Sequence, residues 1–247
     1  MNRFSVRYRR FLLALAGLAL LSGCGTRQPR LAQLGPDALY EQGMAAYEAR
    51  RHARAIELLE RFAQQHLGDE RMPQARITLG RSYMARREYV TAASEFQRLV
   101  TDYPTHPLAP EARFGICESY VRLSPRPVLD QEYTLAAVTH CESVANLYPN
   151  TPQGEQARQY VAEGRSRLAR KAYDNGMFYF RRRAFDAAVI YFTTVVEQYP
   201  DTTLAPAALL QLVETYTRIG YVEEATEARD RLMREYPQSA EAQGLRA

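Results

Sequence analysis

The chain has 247 residues, 46% hydrophobic and 24% charged, which suits a folded protein with a sizeable core. These proportions exclude a disordered chain, a collagen-like chain and a polytopic membrane protein, and three cysteines are too few for a disulfide framework. A formal charge of +4 invites a nucleic-acid reading, which stands only if the charge gathers in one patch.

The first element is an address. Arg3, Arg7, Arg9 and Arg10, with no acid among them, precede a continuous apolar run over residues 11–20. A basic stretch followed by a short apolar one predicts an export signal over residues 1–23. A permanent membrane span needs roughly 20 apolar residues, so this run is too short to be one. Leu21-Ser22-Gly23-Cys24 resembles the lipobox of bacterial lipoproteins, which implies cleavage before Cys24 and lipid on that residue. Gly25, where an Asp would retain such a chain at the inner membrane, favours the outer membrane by the same resemblance. Residues 24–36 then read as a lipidated N-terminus and tether. The four signal arginines account for the charge: without them 28 basic and 28 acidic side chains remain. The nucleic-acid reading falls with them, and the expected hold on a membrane is lipid.

The remainder is organised by an internal repeat. Tyr-Pro recurs at Tyr103-Pro104, Tyr148-Pro149, Tyr199-Pro200 and Tyr236-Pro237. Upstream of Pro104 stand Leu79, Gly80, Tyr83, Ala92 and Phe96; Gly176, Tyr179, Ala188 and Phe192 keep the same offsets before Pro200. These spacings resemble the tetratricopeptide (TPR) pattern, a helical hairpin with a small residue where its helices meet. Units begin at Pro36, Pro73, Pro110, Ala169 and Pro206, and proline suits a first helical turn. The interval is 37 residues, except for 59 between units three and four. The excess divides into a loop insertion over residues 123–130 and a helical extension after Pro152, predicting one helix of about 30 residues into unit four. Unit one is weakest, with His66-Leu67-Gly68-Asp69 in place of Tyr-Pro. The expected fold is all-α: a right-handed superhelix of five TPR-like hairpins, divided into residues 37–150 and 151–247.

The sequence carries no phosphate loop, metal-ligand pair or catalytic constellation, so the expectation is a non-enzyme without metal or cofactor. Glu223-Glu224 opens a helix, where the dipole favours acids. Cys117 and Cys141 occupy facing positions of hairpin three, and two readings stay open: small core residues, or a disulfide in an oxidising compartment.

The order of features is more particular than a generic TPR array. A lipobox precedes five units, unit three carries Leu129-Asp130-Gln131-x-x-Thr134, and a long helix leads to Met177-Phe178-Tyr179-Phe180-Arg181-Arg182. Over the whole chain after the signal this resembles the BamD (ComL) family of outer-membrane assembly lipoproteins. The resemblance implies a subunit of the barrel-assembly (BAM) complex. Its partners would be the periplasmic domains of the barrel protein BamA, other BAM lipoproteins and unfolded outer-membrane β-barrel proteins carrying an aromatic C-terminal signal. A groove along the first helices would present Tyr40, Met44 and Tyr47 from unit one, Ile77, Arg81 and Met84 from unit two, and Phe114, Glu118 and Val121 from unit three. Arg181, Arg182, Arg183 and Asp186, near the tip of hairpin four, are the candidate contact with the barrel protein. The alternative is a TPR lipoprotein of another envelope system, such as a pilus pilotin or a cell-division coordinator.

Overall fold

The structure, a computed structural model, describes residues 34–246; the expected export signal, the lipidation at Cys24 and most of the tether lie outside them. The described residues form eleven helices and no strand. Five hairpins pair α1 (Pro36–Glu48) with α2 (His52–Gln65), α3 (Met72–Ala85) with α4 (Tyr89–Asp102), α5 (Ala109–Leu123) with α6 (Glu132–Leu147), α7 (Pro152–Arg181) with α8 (Phe185–Gln198), and α9 (Leu204–Ile219) with α10 (Val222–Glu235). A short α11 (Ala240–Gly244) packs against α9 and α10.

Proline and tyrosine set the boundaries. Pro36, Pro73, Pro110 and Pro152 sit in the first two positions of their helices, where a missing N–H costs nothing. Tyr103, Tyr148, Tyr199 and Tyr236 each cap the second helix of a unit, with φ between −134° and −128°. His66 takes the same conformation at the end of unit one, φ −131°, so the turn survives without Tyr-Pro. The helix entering unit four runs unbroken for 30 residues, with Ala169 buried in its interior.

Small residues let large ones cross between helices. A Cβ on Gly80 would lie 2.3 Å from the Phe96 ring, and one on Gly115, in the next unit, 2.6 Å from the same ring. Phe96 therefore locks hairpin two and docks hairpin three in one insertion. Gly43 receives Leu59, and Gly176 receives Phe192, in the same way. Hairpin three uses the equivalent pair differently: Cys117 and Cys141 are joined by a disulfide, Cα atoms 4.8 Å apart and both side chains fully buried. The first helices pack in succession, α1 on α3, α3 on α5, α5 on α7 and α7 on α9, so their C-terminal ends fall along one edge.

Among the described buried residues, Arg76 and Glu95 are the charged ones. Arg76 Nη1 donates to Glu95 Oε2 at 2.6 Å inside hairpin two, both residues being more than nine-tenths buried. Hairpin one places Leu39 and Leu58 at the equivalent positions.

Candidate functional site

The first helices carry the predicted groove residues, and the contacts sort them. Tyr40, Met44, Tyr47, Arg81, Met84, Phe114, Glu118 and Val121 are half-buried. Ile77 is a correction: it is fully buried in the N-terminal core and lines no open surface. Its short side chain ends within the contact between neighbouring helices, whereas Tyr40 and Phe114, at the same repeat position, reach further out.

Arg81 is already engaged. Its Nε donates to Glu111 Oε1 at 2.7 Å and its Nη2 donates to the same oxygen, tying α3 to α5. Both side chains are about a third exposed, so the ion pair borders solvent. Glu111 was not among the sequence candidates; it lies at the second position of its unit, the register shared by Asp37 in unit one.

Tyr40 is held from both sides. It packs on Phe62 with ring centroids 5.4 Å apart, and the Arg71 guanidinium lies 4.9 Å from its centroid. Arg71 also donates to Asp69 at 2.7 and 2.8 Å and meets Asp37 at 3.0 Å. The side-chain hydrogen bonds from Arg71, joined by one from its backbone N–H, hold the Asp69 carboxyl down to about 2. Burial, and then a hydrogen bond donated to Glu60, push the Tyr83 hydroxyl well above its ordinary value. Ser119 Oγ donates to Met84 Sδ at 3.1 Å, and Phe114 stacks on Tyr160 of α7 at 6.3 Å. Glu118 accepts from Arg122 at 3.1 Å. The face is therefore a run of half-buried aromatic, thioether and aliphatic groups interrupted by two ion pairs, Arg81 with Glu111 and Arg122 with Glu118.

The unit-three insertion is a braced loop over residues 124–131. Gln131, buried, donates from Nε2 to the carbonyls of Arg126 and Leu129 at 2.9 and 3.0 Å, and accepts from Thr134 at 2.8 Å. The long helix grips the loop from below: Arg167 donates to the Ser124 carbonyl at 3.1 Å and Lys171 to the Val128 carbonyl at 2.7 Å. The Gln-x-x-Thr pattern thus closes the loop, and Val128 and Leu129 project from it into solvent.

Arg181, Arg182, Arg183 and Asp186 are all exposed at the tip of hairpin four. The tip is aromatic as well as basic. The Arg182 guanidinium lies 3.7 Å from the centroid of Phe178, itself 42% exposed, and Arg218 lies 5.1 Å from that of Phe180. Phe180 meets Phe185 edge-on at 5.7 Å. Exposed arginine and aromatic groups of this kind are the usual anchors of protein interfaces once a partner desolvates them. Among the described residues no cluster of His, Cys, Asp and Glu could hold a metal, and no helix is long and apolar enough to cross a membrane.

Comparison with known proteins gives the family. The chain is 26% identical over 236 residues to an outer membrane protein assembly factor BamD of Rickettsia prowazekii, covering 95% of this chain and 94% of that one. It is 25% identical to the factor of that name from Vibrio cholerae, covering 92% and 98%. Among solved structures, the TPR2AB-domain:pHSP90-complex of yeast Sti1 aligns over 84% of this chain and 80% of that chain at 16% identity, with a TM-score of 0.41, a likeness too loose to carry an argument. Residues 32–232 match the family described as YfiO, outer membrane lipoprotein, and the chain belongs to that family.

Proposed function

We propose that this chain is a lipid-anchored scaffold subunit of the outer-membrane β-barrel assembly complex. In this reading Cys24 carries the lipid, and the protein faces the periplasm and handles β-barrel proteins before insertion. The observation that carries the proposal is near-full-length similarity to relatives named as outer membrane protein assembly factors, one of them covered over 94% of its length. Residues 37–150 form the substrate half and residues 151–247 the half that holds BamA.

In the substrate half, an extended segment ending in an aromatic residue and a carboxylate lies along α1, α3 and α5. Its carboxylate competes with Glu111 for the Arg81 guanidinium, a charge-assisted bond that planar bidentate geometry favours. Arg81→Glu should abolish binding of a peptide with such a C-terminus, while Glu111→Gln, which removes the competitor, should strengthen it severalfold. Unchanged affinity in both variants rejects this site. In the other half, Arg182 stacked on Phe178 forms the centre of the contact with BamA. Arg182→Glu should eliminate co-purification of the barrel protein with the full chain; full recovery of the complex would move the contact elsewhere.

A further inference from the structure

Three hairpin turns hold a strained residue. Arg50, Arg87 and Arg183 have φ of 55°, 64° and 61°, the left-handed region that side chains rarely adopt, whereas unit five places Gly220 in the corresponding turn at 80°. A residue kept in an unfavourable conformation, where the same fold uses glycine elsewhere, points to a use for its side chain. All three arginines are exposed. In the first two turns Arg54 pairs with Glu57 and Arg86 with Glu88, but no described carboxylate lies within salt-bridge reach of Arg50, Arg51 or Arg87. The exposed Glu48 offsets one of these charges. Arg50 and Arg87 stand one 37-residue repeat apart, and the stacking of α1 on α3 puts their turns on the same edge.

We propose that the α1–α2 and α3–α4 turns form an arginine edge that adheres to an anionic phospholipid surface through the headgroup phosphates. Guanidinium groups suit phosphate oxygens. Those of Arg50 and Arg87 stand one turn after another along an edge, which matches a flat array of phosphates better than a single acidic side chain. The placement rests on the reading of a membrane-held chain. Ten residue-to-residue steps lead from Cys24 to Leu34, the first described residue, and they reach about 36 Å at most. The 13-residue α1 carries the Arg50 turn about 20 Å further, within the span of such a tether. Bound there, the edge would orient the proposed groove relative to the bilayer, which a lipid on Cys24 alone would not do.

The test uses the chain from residue 24 onward with Cys24→Ser, which takes no lipid there, so adhesion is read without the anchor. This body should sediment with phosphatidylglycerol-containing vesicles, not with pure phosphatidylcholine, and lose that binding as salt rises. Arg50→Gly/Arg87→Gly should weaken partitioning about thirtyfold, about fivefold for each guanidinium at an anionic bilayer. Its thermal stability should be unchanged or higher, because glycine takes the left-handed turn without strain. Arg50→Lys/Arg87→Lys should retain most of the binding. No preference for anionic vesicles, or equal binding by the glycine variant, overturns the inference. Lipid found on Cys24 alongside either result would leave the anchor reading intact.

Discussion

Replacing both cysteines of hairpin three by alanine removes a cross-link that closes a 24-residue separation. The chain-entropy relation for a loop of that length gives about 3.4 kcal/mol of stabilisation at 25 °C. The two lost sulfur atoms leave small voids in a cluster that also contains Val144 and Ala157, so the measured loss should be about 3–5 kcal/mol. For a folded body of this size each kcal/mol moves the melting temperature by about 2–4 °C, so the entropic part alone predicts a fall of about 7–14 °C. Urea unfolding of wild type and Cys117→Ala/Cys141→Ala, each with and without reductant, is the assay. Reductant should lower the wild-type midpoint and leave the variant untouched. A variant within 1 kcal/mol of wild type, or two free thiols titrating in unreduced, denatured wild type, would refute the reasoning.

Further outcomes follow from the packing. Gly80→Ala and Gly115→Ala should each cost about 1–3 kcal/mol in chemical unfolding, because both press on the Phe96 ring, and Phe96→Leu should relieve part of either cost. Arg76→Leu alone leaves the buried Glu95 carboxylate with only the longer 3.9 Å contact to the exposed Arg98 and should cost about 3 kcal/mol. Arg76→Leu together with Glu95→Leu, copying Leu39 and Leu58 of hairpin one, should restore wild-type stability or exceed it. Because the folded Asp69 carboxyl titrates at about 2, below its unfolded value, its contribution is present above about pH 4 and is lost as pH falls towards 2. Unfolding midpoints should fall across that window, and Asp69→Asn should flatten the slope.

The hairpins were legible because their signals are local. Tyr-Pro marks the end of a second helix, proline marks the start of a first one, and the lack of proline between Pro152 and Arg181 left nothing to interrupt the long helix. The pairing of Cys117 with Cys141 stayed open because it turns on a helix separation that the repeat pattern does not specify. The proposed groove face was less legible because its chemistry comes from neighbouring units. Arg81 meets Glu111 from 30 residues away, and Phe114 stacks on Tyr160 from a helix outside the regular repeat. Ile77 shares its repeat position with Tyr40 and Phe114, and only packing tells the buried member from the half-exposed ones. Arg181, Arg182 and Arg183 read as a basic turn; the aromatic floor beneath Arg182 follows from the helical offset of four to Phe178, a signal the sequence carries.

The most direct test of the account is depletion of this chain in its host, followed by an assay for trimeric porin in the outer membrane. The account predicts that folded trimers are lost while unfolded porin accumulates, and that a copy with Arg182→Glu fails to restore them. Normal porin assembly, with a defect confined to pili or cell division, would contradict it.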